Sequence, residues 1–145
     1  MDDSGMPEDV AGRVAAAEKL FAHLAKAGVS ADDVYFDVLI RPISTDVRQA
    51  GFCLEAVRQI RGRCPGAHFM CGMSNVSFGL PRRNLLNKTF LTLLMAAGQD
   101  GAILDPTEEG ILAAVWATRA LLGQDEYCLD YIGAEREGRL GPAEE

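Results

Sequence analysis

The sequence predicts an α/β domain built on a parallel sheet, and two observations carry that class. Short apolar runs alternate with longer segments whose apolar residues recur every three or four positions. The apolar runs also recur about every 33 residues, the length of a βαβ crossover. A chain of 145 residues that is 48% hydrophobic and 24% charged has the material for one domain's core.

Taken in order, residues 9–27 read as a helix, with Val14, Ala17, Leu20, Phe21, Leu24 and Ala25 on one face and Gly28 as its stop. Residues 34–40 form an apolar run interrupted only by Asp37, which predicts a strand buried on both faces. Pro42 ends it. Thr45 or Asp46 is placed to cap a second helix running to about residue 61, with Val47, Cys53, Leu54, Val57 and Ile60 inward. A turn holding Pro65 leads to a second strand over residues 67–71, followed by a long polar loop to Pro81. The third helix, residues 84–97, turns Leu86, Phe90, Leu93, Leu94 and Ala97 inward and stops at Gly98. A third strand over residues 101–104 meets Asp105-Pro106, read as the cap and first turn of a helix to about residue 122, with Glu108 and Glu109 at its positive end. A short helix over residues 126–132 precedes a polar tail, so the domain is bounded at residues 1–133 and the tail at 134–145.

Composition excludes several function classes. Fourteen Lys and Arg against 21 Asp and Glu give a net charge of −7, the opposite of a nucleic-acid-binding surface. No apolar run approaches the roughly 18 residues needed to cross a bilayer. Residues 1–5 lack a basic-then-apolar leader, so a cytoplasmic protein is expected. Cys53, Cys64, Cys71 and Cys128 form no CxxC pair, which predicts buried thiols rather than zinc ligands or disulfides.

In parallel α/β architectures ligands gather at the carboxyl ends of strands. Asp37, the Ser74-Asn75-Val76-Ser77 loop and Asp105 all fall there. Burying a carboxylate such as Asp37 requires a partner, either a ligand N–H or the amides of the following loop. Asp105 reads as an ordinary helix cap. The loop over residues 72–81 exceeds the usual strand-to-helix length of about 2 to 6 residues, which points to function. Asn75 offers both a donor and an acceptor, matching a ligand nitrogen that changes protonation. Arg82 and Arg83 follow near the site mouth, as forks for a carboxylate or as solvated surface groups. His23 and His68 read as structural, and neither a GxGxxG nor a GxxxxGK[ST] motif occurs.

The residues 72–81, Gly-Met-Ser-Asn-Val-Ser-Phe-Gly-Leu-Pro, with residues 83–91 and 95–103 downstream, resemble the pterin-binding methyltransferases. That family includes methyltetrahydrofolate:corrinoid/iron–sulfur protein methyltransferases and the folate module of cobalamin-dependent methionine synthase. Residues 33–40 and the opening Ser4-Gly5-Met6-Pro7 resemble it too, and the similarity runs to about residue 133. The resemblance implies a TIM barrel, of which three strands and four to five helices match only the carboxyl-terminal half. It implies that Asp37 hydrogen-bonds the pterin ring, that Ser74 shapes the loop, and that Asn75, the catalytic candidate, sits near N5 of methyltetrahydrofolate. Arg83 would lie by the anionic tail of the folate. The implied activity moves the N5 methyl group to a corrinoid on a separate protein, since no D-x-H-x-x-G corrinoid signature occurs in this chain. A separately encoded amino-terminal half-barrel or self-association would supply the missing strands. A non-catalytic scaffold and a truncated remnant are the alternatives.

Overall fold

The computed structural model describes residues 5–141. Ser4 of the opening segment and the last residues of the tail lie outside that range. The order is α1 (Val10–Lys26), β1 (Tyr35–Phe36), α2 (Gln49–Arg63), β2 (His68–Gly72), α3 (Arg83–Ala97), β3 (Gly101–Ile103), α4 (Ile111–Leu121) and α5 (Leu129–Arg136). The three strands are parallel and pair in sequence order, β1-β2-β3. Because each crossover steps the same way, the helices form one continuous row, each packed on the next, along one face of the sheet.

That single-sided cover sets the burial pattern. Phe36, Phe69 and Cys71 point into the helix layer and are buried with Val57, Ile60 and Leu94. On the opposite face the register pairs Tyr35 with His68, Met70 with Gly101, and Gly72 with Ile103. This face is open: Tyr35 is 57% exposed and Ile103 is 62% exposed. The run over residues 34–40 is therefore not buried on both faces. Val34, Phe36, Val38 and Ile40 are buried, whereas Tyr35 and Asp37 are exposed.

Several local expectations are corrected. Asp9 caps α1 by accepting from the Gly12 amide, but α2 begins at Gln49 without a side-chain cap. Asp46 instead accepts from the Arg48 amide and guanidinium, a local turn that delays the helix. Val47 is thereby thrown out to 86% exposure, and Leu93 also faces out. Asp105 does not cap α4. Its Oδ1 accepts from the amide and hydroxyl of Thr107, a self-contained turn, and the helix starts only at Ile111. Cys128 is exposed, because it sits with positive φ in the kink leading into α5, away from the core. The last helix, α5, runs over Leu129–Arg136 rather than over residues 126–132.

The end of the sheet opposite the strands' carboxyl termini is held by Asp100. Its Oδ1 accepts from the Phe69 amide at 2.7 Å, and its Oδ2 meets His68 Nδ1 at 2.8 Å and Arg61 Nη2 at 2.9 Å. Arg61 donates also to the Ala67 and Gly98 carbonyls and lays its guanidinium 4.8 Å from the Phe69 ring centre. Gly98 takes φ of 110°, the left-handed stop of α3, which frees its carbonyl for Arg61. Gly101 has no room for a side chain, since a Cβ there would lie 2.8 Å from the Phe69 carbonyl oxygen.

Burial pushes the Asp100 carboxyl up, but the Phe69 amide, Arg61 and His68 outweigh it and hold it below 3.8. A carboxylate depressed in the folded state stabilises above its unfolded value, and that contribution is lost as pH falls through the folded one. Asp100→Asn is expected to cost about 1 kcal/mol at pH 7. Urea unfolding at several pH values should show that gap closing as pH falls from 3.8 downward. A gap independent of pH would remove the carboxylate from the account.

Candidate functional site

The site lies at the carboxyl ends of the strands. Asp37 directly follows β1, Ser74 and Asn75 follow β2, and Asp105 follows β3. Asp37 interrupts the first apolar run where the chain leaves the sheet, and the Ser74-Asn75 loop and Asp105 follow the second and third runs.

Asp37 is exposed rather than buried, and its Oδ1 accepts from the Leu39 amide at 2.8 Å. That bond closes a turn in which Leu39 adopts φ of 60°, a conformation that costs a branched residue about 1–2 kcal/mol. The amide of the following loop is thus one partner of the carboxylate.

Residues 73–77 form a 3-10 turn (Met73–Ser77) locked to the loop after β1. Asn75 Nδ2 donates to the Ile40 carbonyl at 2.9 Å, Ile43 N to the Val76 carbonyl at 3.0 Å, and Ser44 Oγ to the Phe78 carbonyl at 2.7 Å. A carbonyl acceptor fixes which end of the Asn75 carboxamide it meets. The amino group faces Ile40 and leaves Oδ1 as the atom available to a ligand. Asn75 is exposed, as is Ser74.

Arg83 is committed to the same loop. Its Nη2 donates to the Ser74 carbonyl at 2.6 Å and its Nε to Ser77 Oγ at 3.0 Å. Ser77 Oγ in turn donates to Asn87 Oδ1 at 2.7 Å, and Asn87 Nδ2 reaches Glu108 at 3.4 Å. Ser77 is fully buried and Asn87 is 5% exposed. Arg83 and the loop through Ser77 were expected at the site, but Asn87 and Glu108, which complete this brace, were not. Its one signal is Asn87, a polar residue four positions after Arg83 on a helix face turned to the core. Arg82 takes a left-handed conformation and lines an outer groove of about 780 Å³ with Lys88 and Glu109.

The structure thus ties Asn75, Ser74 and Arg83 into one unit and anchors it three residues beyond Asp37. His23 and His68 lie elsewhere, His68 in the Asp100 cluster. Among the described residues no cluster of His, Cys, Asp and Glu is arranged to hold a metal ion, and no helix is long and apolar enough to cross a membrane.

No protein-family model matches the chain. It is 34% identical over 143 residues to the methylcorrinoid:tetrahydrofolate methyltransferase of Eubacterium limosum, covering 99% of this chain and 53% of that protein. It is 32% identical over 111 residues to the methionine synthases of Mycobacterium leprae and Mycobacterium tuberculosis, covering 72% of this chain and 9% of each of those. The chain therefore spans about half the length of the first relative and a small part of the others. With three parallel βα units whose helices line one face and an Asn-bearing loop at the strand ends, the chain corresponds to the carboxyl-terminal half of the pterin-binding methyltransferase family.

Proposed function

We propose that this chain carries half of a pterin site that moves a methyl group between N5 of tetrahydrofolate and the cobalt of a corrinoid held on a separate protein. The name of the Eubacterium limosum relative writes that transfer with the methylcorrinoid as donor. The same groups serve either direction, because both pass through one transition state.

The observation that carries the reading is the fixed Asn75 carboxamide. Its amino group is held by Ile40, so the exposed Oδ1 is an acceptor already aimed, with no reorganisation needed when a ligand N–H arrives. A tertiary amine leaves poorly from its methyl group unless it carries positive charge. A proton taken from solvent makes N5 an ammonium, and an acceptor beside it stabilises that N–H⁺, which favours the path to methyl transfer over the neutral ground state. The free side of the Asp37 carboxylate suits ring N–H donors of a pterin. Arg83 works by holding the Ser74 carbonyl and Ser77, and so positions the loop. The corrinoid, when presented, supplies the cobalt that gives or takes the methyl group.

The remaining strands of the barrel come from further βα units, fused or separate, and the three strands here contribute one wall. Calorimetric titration with N5-methyltetrahydrofolate tests the reading, using the chain alone and mixed with the unmatched portion of the Eubacterium limosum relative. Binding that appears or tightens at least tenfold in the mixture is expected. No binding in either sample would leave a non-catalytic scaffold as the better description.

A further inference from the structure

Both free edges of the sheet carry the same kind of defect. Beside β1, between it and α1, lies a cavity of about 300 Å³ bordered by Tyr35, Asp37, Leu39 and Arg13. Beside β3 lies one of about 710 Å³ bordered by Gly101, Ala102, Leu104 and Gln99. Each therefore runs along the unpaired edge of an outer strand.

Each cavity is also bordered by a residue that carries a buried polar atom without a partner. Arg13 is 3% exposed; its Nη1 and Nη2 reach Cys53 Sγ and Gln49 Oε1, at 3.2 and 2.8 Å, but its Nε bonds nothing. None of these partners is an anion, since burial pushes the Cys53 thiol up and keeps it neutral. Gln99 is 6% exposed; its Nε2 donates to the Gly101 carbonyl while its Oε1 has no donor. Buried polar atoms are costly when unpaired, and such atoms are rare in finished folds. Here the two stand one at each seam, a donor at β1 and an acceptor at β3.

We infer that the two edges are the seams of a closed barrel, joined by one complementary set of βα units whose strand beside β1 offers a carboxylate to Arg13 and whose strand beside β3 offers an N–H or O–H to Gln99 Oε1. The inference rests on the half-barrel reading and deepens it by naming what the partner must present. The size of the occupant follows from the relatives. An eight-stranded barrel less the three strands here leaves five, and the chain spans 53% of the Eubacterium limosum protein. The open face agrees, since Tyr35, Met70 and Ile103 are large apolar side chains of the kind that fill a barrel interior in layers. A second copy would offer three strands instead of five, and would bring another Arg13 and another Gln99 rather than a carboxylate.

Hydrogen exchange followed by mass spectrometry tests this without folate, so a complex that protects both edges but binds no folate would sink the functional reading and leave this inference standing. The probe is the unmatched portion of the Eubacterium limosum relative, added to the full chain. A 1:1 complex is expected, with the backbone amides of residues 35–39 and 101–104 slowed at least tenfold. Arg13→Met should weaken that complex at least tenfold and Arg13→Lys less, with circular dichroism confirming that each variant is folded. Gln99→Met provides the same measurement at the other seam. No complex, or a complex that leaves either edge unprotected, overturns the inference. Concentration-dependent protection of both edges without the probe would make a second copy the occupant and overturn it equally. Wild-type affinity of a folded Arg13→Met would remove the carboxylate.

Discussion

Asn75→Ala is expected to slow methyl transfer by about a hundredfold while changing the dissociation constant for methyltetrahydrofolate by less than about threefold. The split follows from where the Oδ1 acceptor is used. In the ground state N5 is a neutral tertiary amine with no proton to donate, so losing the acceptor costs binding little. On the path to transfer N5 first takes a proton from solvent and becomes an ammonium. As the methyl group passes to cobalt(I), the C–N electrons return to N5 and leave a neutral N–H. The lost acceptor for that N–H is felt only on this path. The substitution also leaves the carbonyl of buried Ile40 without this partner, so circular dichroism is needed to show that the variant is folded. Transfer rates followed by corrinoid absorbance, beside calorimetric binding, check the result in the reconstituted barrel. An equal loss in rate and binding would reassign Asn75 to a binding role. Asn75→Asp keeps an acceptor oxygen but gives up the donor to Ile40. A rate nearer to wild type in Asn75→Asp than in Asn75→Ala would identify acceptance, not loop anchoring, as the operative property.

The second large effect is on stability. Phe69→Ala should cost about 3–5 kcal/mol. Phe69 is fully buried on β2, the central strand, with the Phe36 ring 6.1 Å away and the Arg61 guanidinium over its face. Helices on one side and neighbouring strands on the other two leave the hole little room to collapse. A typical domain has about 5–15 kcal/mol in total, and this sheet has an uncovered face and two unpaired edges. The variant should therefore unfold at a much lower urea concentration, read by circular dichroism. Phe78→Ser is the contrast. Phe78 is 61% exposed beside the candidate site, and its replacement should shift stability by no more than about 0.5 kcal/mol. Comparable losses in both would contradict the assignment of the core.

Element type and order were legible because they depend on short-range periodicity. Each predicted helix and strand has its counterpart, and the glycine stop at Gly98 is where the backbone turns left-handed. The missed boundaries share a cause. Asp46 and Asp105 are good cap residues, but each satisfies its side chain in a turn with Arg48 or Thr107, and the helices start later. The same short side chain can cap a helix or close a turn two residues on, and here the turn is what forms.

The site was legible in part. Asp37, Ser74 and Asn75 stand where strands end, which the sequence shows directly. The orientation of the Asn75 carboxamide was not, because it depends on a carbonyl 35 residues away. Nor was the brace from Arg83 through Ser77 and Asn87 to Glu108, which joins three segments. Arg13 gave only a faint signal, standing four positions before Ala17 on the apolar stripe of α1.

The sequence alone determined an acidic α/β chain of three βα units with a polar loop at a strand end, since hydrophobic period and turn residues act within a few positions. Only the tertiary structure decided which face of the sheet is covered. Residues 34–40 are apolar apart from Asp37, yet Tyr35 faces outward with Asp37 while Val34, Phe36, Val38 and Ile40 are buried. Period and composition report what a residue can bury, whereas the neighbours that bury it are set by contacts distant along the chain.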